Sequence, residues 1–330
     1  MPNQQDDVSS QVQIALYTIV GTISLLCNSV IFMVIGTNKK MKTKSNLMLL
    51  SLATTDWLTI IIGIPIHLIN LAKGGNQTRN FLCDISGFLI LIPFLASNFN
   101  LTLIAVHRYV LVVRNTDYRW MFTQRNTYLL IAAVWAIGIT LSAPPLLGWG
   151  SFAYDNNRAH CMVDWQRSLT YLVFLQLLAY PAPMCIMCFC YYKIMKHSYA
   201  STKRLAVTAA VVSSEHRRIV AKKKREVRLS IMLLLVVLCF FILYFPYAIL
   251  IVHEGIAGGK PSHAFSFIAM LSAYSNSMVD FWIYAAMSTK FRQALKCFLS
   301  RMICRVETDT VHSHSAVMNS LSDQGSKTKE

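Results

Sequence analysis

Residues 84–113 read DISGFLILIPFLASNFNLTLIAVHRYVLVV, an apolar run that closes on Val106-His107-Arg108-Tyr109. About 20 such residues cross the roughly 30 Å hydrocarbon core of a bilayer as a helix. In lipid the backbone finds no water, so a crossing segment has to satisfy its own N–H and C=O groups, which a helix does. The run therefore predicts a membrane helix with an arginine at one mouth. Six more apolar runs flank it, near residues 14–36, 45–72, 127–147, 168–192, 229–253 and 263–287. The expected fold is an all-α membrane protein, a bundle of seven transmembrane helices. Neighbouring runs hold polar residues at bilayer depth: Asn28, Asp56 and Asp280. A charge there costs at least about 2.5–3.5 kcal/mol, so such groups usually face an internal cavity.

Of 330 residues, 55% are hydrophobic and 14% charged, with a mean hydropathy of +0.45. Length alone would allow two soluble domains. The composition excludes them and leaves one polytopic domain. The net charge of +16 is unevenly spread. Lys39, Lys40, Lys42, Lys44, Arg108, Arg114, Arg119, Arg125, the basic cluster of 193–228 and every basic residue from Lys290 onward share one side of a seven-span topology. Lys73, Arg79, Arg158, Arg167 and Lys260 fall on the other. The positive-inside rule makes the first side cytoplasmic. The expectation is a multi-pass plasma-membrane protein with an extracellular N-terminus and a cytoplasmic C-terminus. The charge then serves topology and attraction to anionic lipid, and nucleic acid is not expected as a partner. Met1 to Gln13 is polar, with Asp6 and Asp7 where a cleavable signal would carry basic residues, so the first span is expected to act as its own insertion signal.

The expected division is an extracellular segment 1–13, a seven-transmembrane domain 14–287, an amphipathic helix 288–300 and a cytoplasmic tail 301–330. A second outer loop is expected from Gly148 to Arg167 and a third inner loop around 200–222. Pro65, Pro93, Pro144, Pro145, Pro181, Pro183 and Pro246 are expected inside helices, where kinks open a cavity. From Thr289 to Arg301, Phe291, Leu295, Phe298 and Leu299 share a face away from Lys290, Arg292 and Lys296, the pattern of a helix lying on the inner leaflet. The tail beyond is polar and rich in Ser and Thr, accessible to kinases. Asn76-Gln77-Thr78 is a glycosylation sequon in the first outer loop. Cys297 and Cys304, beside basic residues at the inner membrane edge, suit palmitoylation. Cys27, Cys185, Cys188, Cys190 and Cys239 read as small residues within apolar helices. Cys83 and Cys161 lie at outer edges, where a disulfide is chemically permitted.

The order of landmarks resembles the rhodopsin-like G-protein-coupled receptors over residues 14–300. Asn28, Leu52-Ala53-Thr54-Thr55-Asp56, Arg108-Tyr109, Trp135, Pro183 with Tyr191, and Pro246 each look like a landmark of that family. Pro144-Pro145-Leu146-Leu147-Gly148-Trp149 followed by Cys161-Met162-Val163-Asp164-Trp165 looks most like opsins, with melatonin-receptor-like orphans next. Opsins hold retinal on a seventh-helix lysine. Here Asp280-Phe281-Trp282-Ile283-Tyr284 resembles the seventh-helix motif, and Tyr274 stands six residues earlier, at the lysine position. Without an amine there is no Schiff base, so covalent retinal is not expected and no cofactor is required. Ile90 occupies the position at which aminergic receptors carry an aspartate. Tyr244 replaces the sixth-helix tryptophan, and His107 the acid before Arg108.

The resemblance implies a Cys83–Cys161 disulfide tethering the second outer loop to the third helix. It groups Asn28, Asp56, Ser97, Asn276 and Asp280 around a sodium site, whose oxygens suit a hard monovalent cation; a hydrogen-bonded plug between helices is the other reading. It sets Glu226 opposite Arg108 as an inner latch, beside His107, Tyr109, Tyr191 and Tyr284 as switch and G-protein-coupling residues. Ile90, Phe94, Tyr244, Tyr247, Met270 and Tyr274 form a neutral aromatic ligand pocket, with His67 and His253 nearer its rim. The implied function is transduction of an extracellular stimulus, carried by an uncharged or amphipathic small ligand, to a heterotrimeric G protein, with arrestin and receptor kinases meeting the tail. Two other readings remain at this stage: an opsin-derived receptor holding retinoid noncovalently, and an intramembrane aspartyl protease using Asp56 and Asp280. No Gly-x-Gly-Asp segment surrounds either acid, and no paired broken helices point to a transporter.

Overall fold

Threonine and serine caps and proline breaks set several element ends in the computed structural model, which describes residues 4–38, 41–73, 80–208, 214–259, 261–287, 291–298 and 300. Within these, residues 4–9, 80, 202–208, 214–226, 229, 280, 283, 284, 286 and 287 are described by backbone alone. Helix α1 covers Gln4–Thr37, α2 Lys44–Ala72, α3 Asn80–Val112, α4 Asn115–Met121 and α5 Gln124–Ser142. A 3-10 turn, Pro144–Leu147, leads to the hairpin β1 (Phe152–Asp155) and β2 (His160–Val163). Helices α6 (Leu169–Ala179), α7 (Pro181–Thr208), α8 (Ser214–Ala257) and α9 (His263–Met287) complete the order. Thr43, Thr123 and Ser168 cap α2, α5 and α6, their side-chain oxygens accepting from Asn46 N, Asn126 N and Tyr171 N at 3.3, 3.1 and 3.3 Å. Each such cap contributes about 1 kcal/mol.

Among the described residues, six helical stretches are long and apolar enough to cross a membrane: Ser10–Thr37, Lys44–Ala72, Phe81–Val112, Gln124–Ser142, Leu169–Ser201 and Ser230–Ala257. Helix α9 closes the ring between α8 and α1. Helix α3 is the axis, packed against α2, α5, α7 and the hairpin. Residues 288–330 form a separate unit. Within it 291–298 is helical, with Phe291 and Ala294 buried and Arg292, Lys296 and Cys297 exposed, in keeping with the amphipathic spacing.

Several boundaries differ from expectation. Helix α1 begins ten residues ahead of the apolar run; Asp6 and Asp7 stand in its first turn, where unpaired N–H groups favour anions. The fourth run does not stay helical to 147: Pro144 and Pro145 lie in the 3-10 turn after α5 rather than inside a helix. Gly148, at φ +93°, ends that turn in the left-handed region glycine occupies without strain. The fifth run breaks at Tyr180 into α6 and α7. Pro183 lacks the N–H that would bond Ala179 O in a continuous helix, and Asn98 Nδ2 of α3 donates to that carbonyl instead. The inner ends of α7 and α8 run into the expected third inner loop, leaving only 209–213 between them without a described conformation. Pro65, Pro93 and Pro246 do lie within helices.

Candidate functional site

Ile90 and Phe94 stand one turn apart on α3, Tyr244 and Tyr247 flank Pro246 on α8, and Met270 and Tyr274 stand one turn apart on α9. Spacings of three and four residues put each pair on one helix face. All six line a single cavity, part of it open to solvent. Its centre is aromatic. The Phe94 ring meets Tyr244 edge-on at 4.9 Å, Tyr247 at 5.8 Å and Tyr180 at 6.5 Å between centroids. Such pairs contribute about 0.5–1.5 kcal/mol each beyond area burial. No charged side chain lines the cavity among the described residues. The hydroxyls of Tyr180 and Tyr274 and the indole N–H of Trp165 are buried in its wall without protein partners, so the wall offers donors to a neutral acceptor.

The sequence reading missed the other half of this wall. Gln176, Ala179 and Tyr180 arrive through the α6–α7 break, and His160, Cys161, Met162 and Val163 through β2. Tyr180-Pro181-Ala182-Pro183 was the one local signal for the first group. Of the expected rim histidines, neither lines the cavity: His253 is exposed, and His67 is buried behind the wall, its ring 4.1 Å from Tyr17 and 5.8 Å from His160. Burial holds His160 down, to about 4, with the Arg158 charge adding to the depression and the Arg158 carbonyl and Asp155 opposing it.

The hairpin closes this end of the cavity. Its register pairs Phe152 with Val163 and Asp155 with His160. Cys161 is bonded to Cys83 of α3, with 5.2 Å between Cα atoms.

In mid-bundle, Asn28 Nδ2 donates to Ser24 O at 3.0 Å and to Ser277 O of α9 at 2.7 Å. Ser277 Oγ donates to Asp56 Oδ1 at 3.4 Å. Asn28, Asp56, Ser97 and Asn276 are all buried, and Asn28 Oδ1, Ser97 Oγ and Asn276 Oδ1 have no protein partner. The side chain of Asp280 lies outside the described residues.

Arg108 lies some 25 residues along α3 from Cys83, roughly 37 Å of helix rise. Its Nη2 donates to Ser45 Oγ at 2.9 Å. His107 turns away from it, to α4: Nε2 lies 3.3 Å from Tyr118 Oη, and its ring packs on Phe122 at 4.8 Å. Tyr109 packs on Phe189, and Tyr191 is buried. The side chains of Glu226 and Tyr284, with Asn76 and Cys304, fall outside the described residues, while Cys297 is exposed.

Comparison with known proteins matches residues 27–284 to the seven-transmembrane receptor (rhodopsin family). The Gq-coupled rhodopsin of Mizuhopecten yessoensis is 29% identical over 84% of this chain and 57% of its own length. Galanin receptor type 1 of Rattus norvegicus is 26% identical over 95% and 88%, and melatonin receptor type 1C of Xenopus laevis 28% over 55% and 42%. The chain thus spans little more than half the length of the first of these relatives. The crystal structure of squid rhodopsin superposes with a TM-score of 0.81 over 90% of this chain and 87% of that one at 20% identity, which establishes the seven-helix fold. On the profile match across most of its length, the chain belongs to the rhodopsin family of seven-transmembrane receptors.

Proposed function

We propose that this receptor couples a small uncharged ligand, held in the aromatic cavity from the extracellular side of the plasma membrane, to a heterotrimeric G protein on the cytoplasmic side. The observation that carries this reading is the neutral wall in which Ile90, Phe94, Tyr244, Tyr247, Met270 and Tyr274 converge beneath the hairpin. A ligand that prefers one of two helix arrangements shifts their populations by its difference in affinity. The basic side of the chain, with Arg108, faces the cytoplasm by the positive-inside rule. Arrestin and receptor kinases act on the Ser/Thr-rich tail, Asn76 carries a glycan, and Cys297 and Cys304 are acylated. Measuring second-messenger output in transfected cells without ligand, across G-protein subtypes, tests the coupling. Output equal to untransfected cells for every subtype, with the receptor at the surface, would count against it as a constitutive activity, and output through none after a screen of neutral ligands would end the reading.

Sodium is the ion whose chemistry fits the mid-bundle cluster. Asn28 Oδ1, Ser97 Oγ and Asn276 Oδ1 are buried acceptor oxygens without protein partners, beside the Asp56 carboxylate. Asn28, Asp56, Ser97, Asn276 and Asp280 would hold it. A noncovalent retinoid is the second reading, supported by the opsin relative and by an apolar cavity with no lysine in its wall among the described residues.

A further inference from the structure

Arg158 sits in the turn between β1 and β2 with its side chain wholly buried, at 0% exposure. Its guanidinium bonds the Glu254 carboxylate near the end of α8 and lies 3.2 Å from Asp155 Oδ2. The other terminal nitrogen meets Met162 Sδ. A guanidinium withdrawn from water is tolerated only when its charge and N–H groups are taken up. Here carboxylates from two different elements meet Nη2 and take up the charge, while Nε has no partner among the described residues. Three uncharged ties converge on the same loop. Asn157 Nδ2 donates to Pro261 O at 3.2 Å, Asn70 Nδ2 of α2 donates to Ala159 O at 2.9 Å, and the disulfide joins Cys161 to α3. Directly beneath, His160, Cys161, Met162 and Val163 form one wall of the cavity.

We infer that the hairpin is a lid clasped to α8 by the Arg158–Glu254 pair, so that a small molecule reaches the cavity past the hairpin faster when the pair opens. This rests on reading the cavity as the ligand site. Moving the hairpin aside displaces β2, whose four residues are all buried. Displacing it withdraws Arg158 from Glu254 and leaves charge buried without its partner, the costly way to break such a pair. A small neutral molecule needs only transient opening of the clasp. Glu254 stands on α8, the helix carrying Pro246 and the cavity residues Tyr244 and Tyr247, so the same pair couples lid position to that helix.

The test uses the full-length receptor on intact cells with Met270→Cys as reporter and a membrane-impermeant quaternary-ammonium methanethiosulfonate as probe. The unsubstituted chain gives the background from its native thiols. With the clasp intact the reporter reacts slowly. Glu254→Gln is expected to speed the reaction about tenfold to a hundredfold, the range set by losing a charged hydrogen bond from a two-state opening. Arg158→Met with Glu254→Gln removes both charges of the pair and leaves Asp155 accepting from Asn157 N, so it is the second variant should the single one fail to assemble. It should react as fast as the single variant. Rates equal to the clasped parent in both variants, at Met270→Cys and at a second reporter, Tyr247→Cys, would overturn the clasp. The reaction rate is read without any G protein, so failure of the coupling assay leaves this outcome separate.

Discussion

By the resemblance Tyr274 stands where opsins carry their lysine, and its hydroxyl lies so close to α2 that a Cβ on Gly63 would stand 2.6 Å from the oxygen. A phenol at that site donates a hydrogen bond and forms no imine. Purified receptor incubated with 11-cis-retinal is therefore expected to show no red-shifted absorption and no borohydride-trapped adduct on a transmembrane residue; either signal refutes it. His160, in the same wall, makes a pH prediction. Folded, it stays neutral down to about 4 because it is buried; unfolded, it takes a proton near 6.5, the ordinary value for histidine. Between those values the unfolded chain binds more protons, so stability falls as pH drops from about 6.5 toward 4 and levels below. His160→Gln should shrink the gap in thermal midpoint between pH 7.5 and pH 5 in detergent. An unchanged gap means the residue is not buried neutral. For the mid-bundle oxygens the expected result is a higher midpoint in sodium chloride than in choline chloride, lost in Asp56→Asn. Equal midpoints in the two salts would favour a hydrogen-bonded plug.

Among the elements, the hairpin depends most on covalent help, because four-residue strands are shorter than the usual five or six and a lone hairpin is marginal in water. The Cys83–Cys161 bond closes a sequence separation of 78 residues. Replacing both cysteines by serine should lower stability by about 2–5 kcal/mol, read from unfolding in detergent; an unshifted transition would show that the remaining ties hold the hairpin alone. The long helices were legible in the sequence because lipid demands continuous apolar runs, and the six foreseen cavity residues through the resemblance to rhodopsin-like receptors. The hairpin was not, since FAYD and HCMV are too short to show alternation against an irregular loop. Nor was α4, a seven-residue helix inside a basic connection. Arg158 and Glu254 lie 96 residues apart with no periodicity joining them, and from sequence Arg158 read only as a topology charge. His107 was legible as a missing acid but not as the partner of Tyr118, because that contact exists only once α4 folds back against α3.

At the scale of the whole molecule, α3 and α8 each join the two ends of the bundle. One carries Cys83 beneath the hairpin and Arg108 far along the same helix; the other carries Glu254 in the clasp and, 28 residues earlier and roughly 42 Å away by helix rise, Glu226. Rotation of α8 about Pro246 would move both of its ends, so a change at the lid can be felt at the latch. Helix α9 braces α8 near Pro246, where Ser272 Oγ donates to Leu243 O at 2.7 Å. With His107 directed to Tyr118 and Arg108 to Ser45, the resemblance leaves Glu226 as the acid proposed to hold Arg108. Loss of a charge-assisted pair of about 1.5–3 kcal/mol shifts a resting population about tenfold to a hundredfold. Glu226→Gln is accordingly expected to raise ligand-free signalling at matched surface expression. His107→Asp should lower it by setting a carboxylate beside Arg108, one that can still accept a hydrogen bond from Tyr118. Tyr118→Phe separates the two effects of that substitution, since it frees α4 without adding charge; it should speed amide exchange across Asn115–Met121 and leave the charge at residue 107 unchanged. Wild-type signalling in both Glu226→Gln and His107→Asp would mean that the latch does not limit activation and that Arg108 is held chiefly through Ser45.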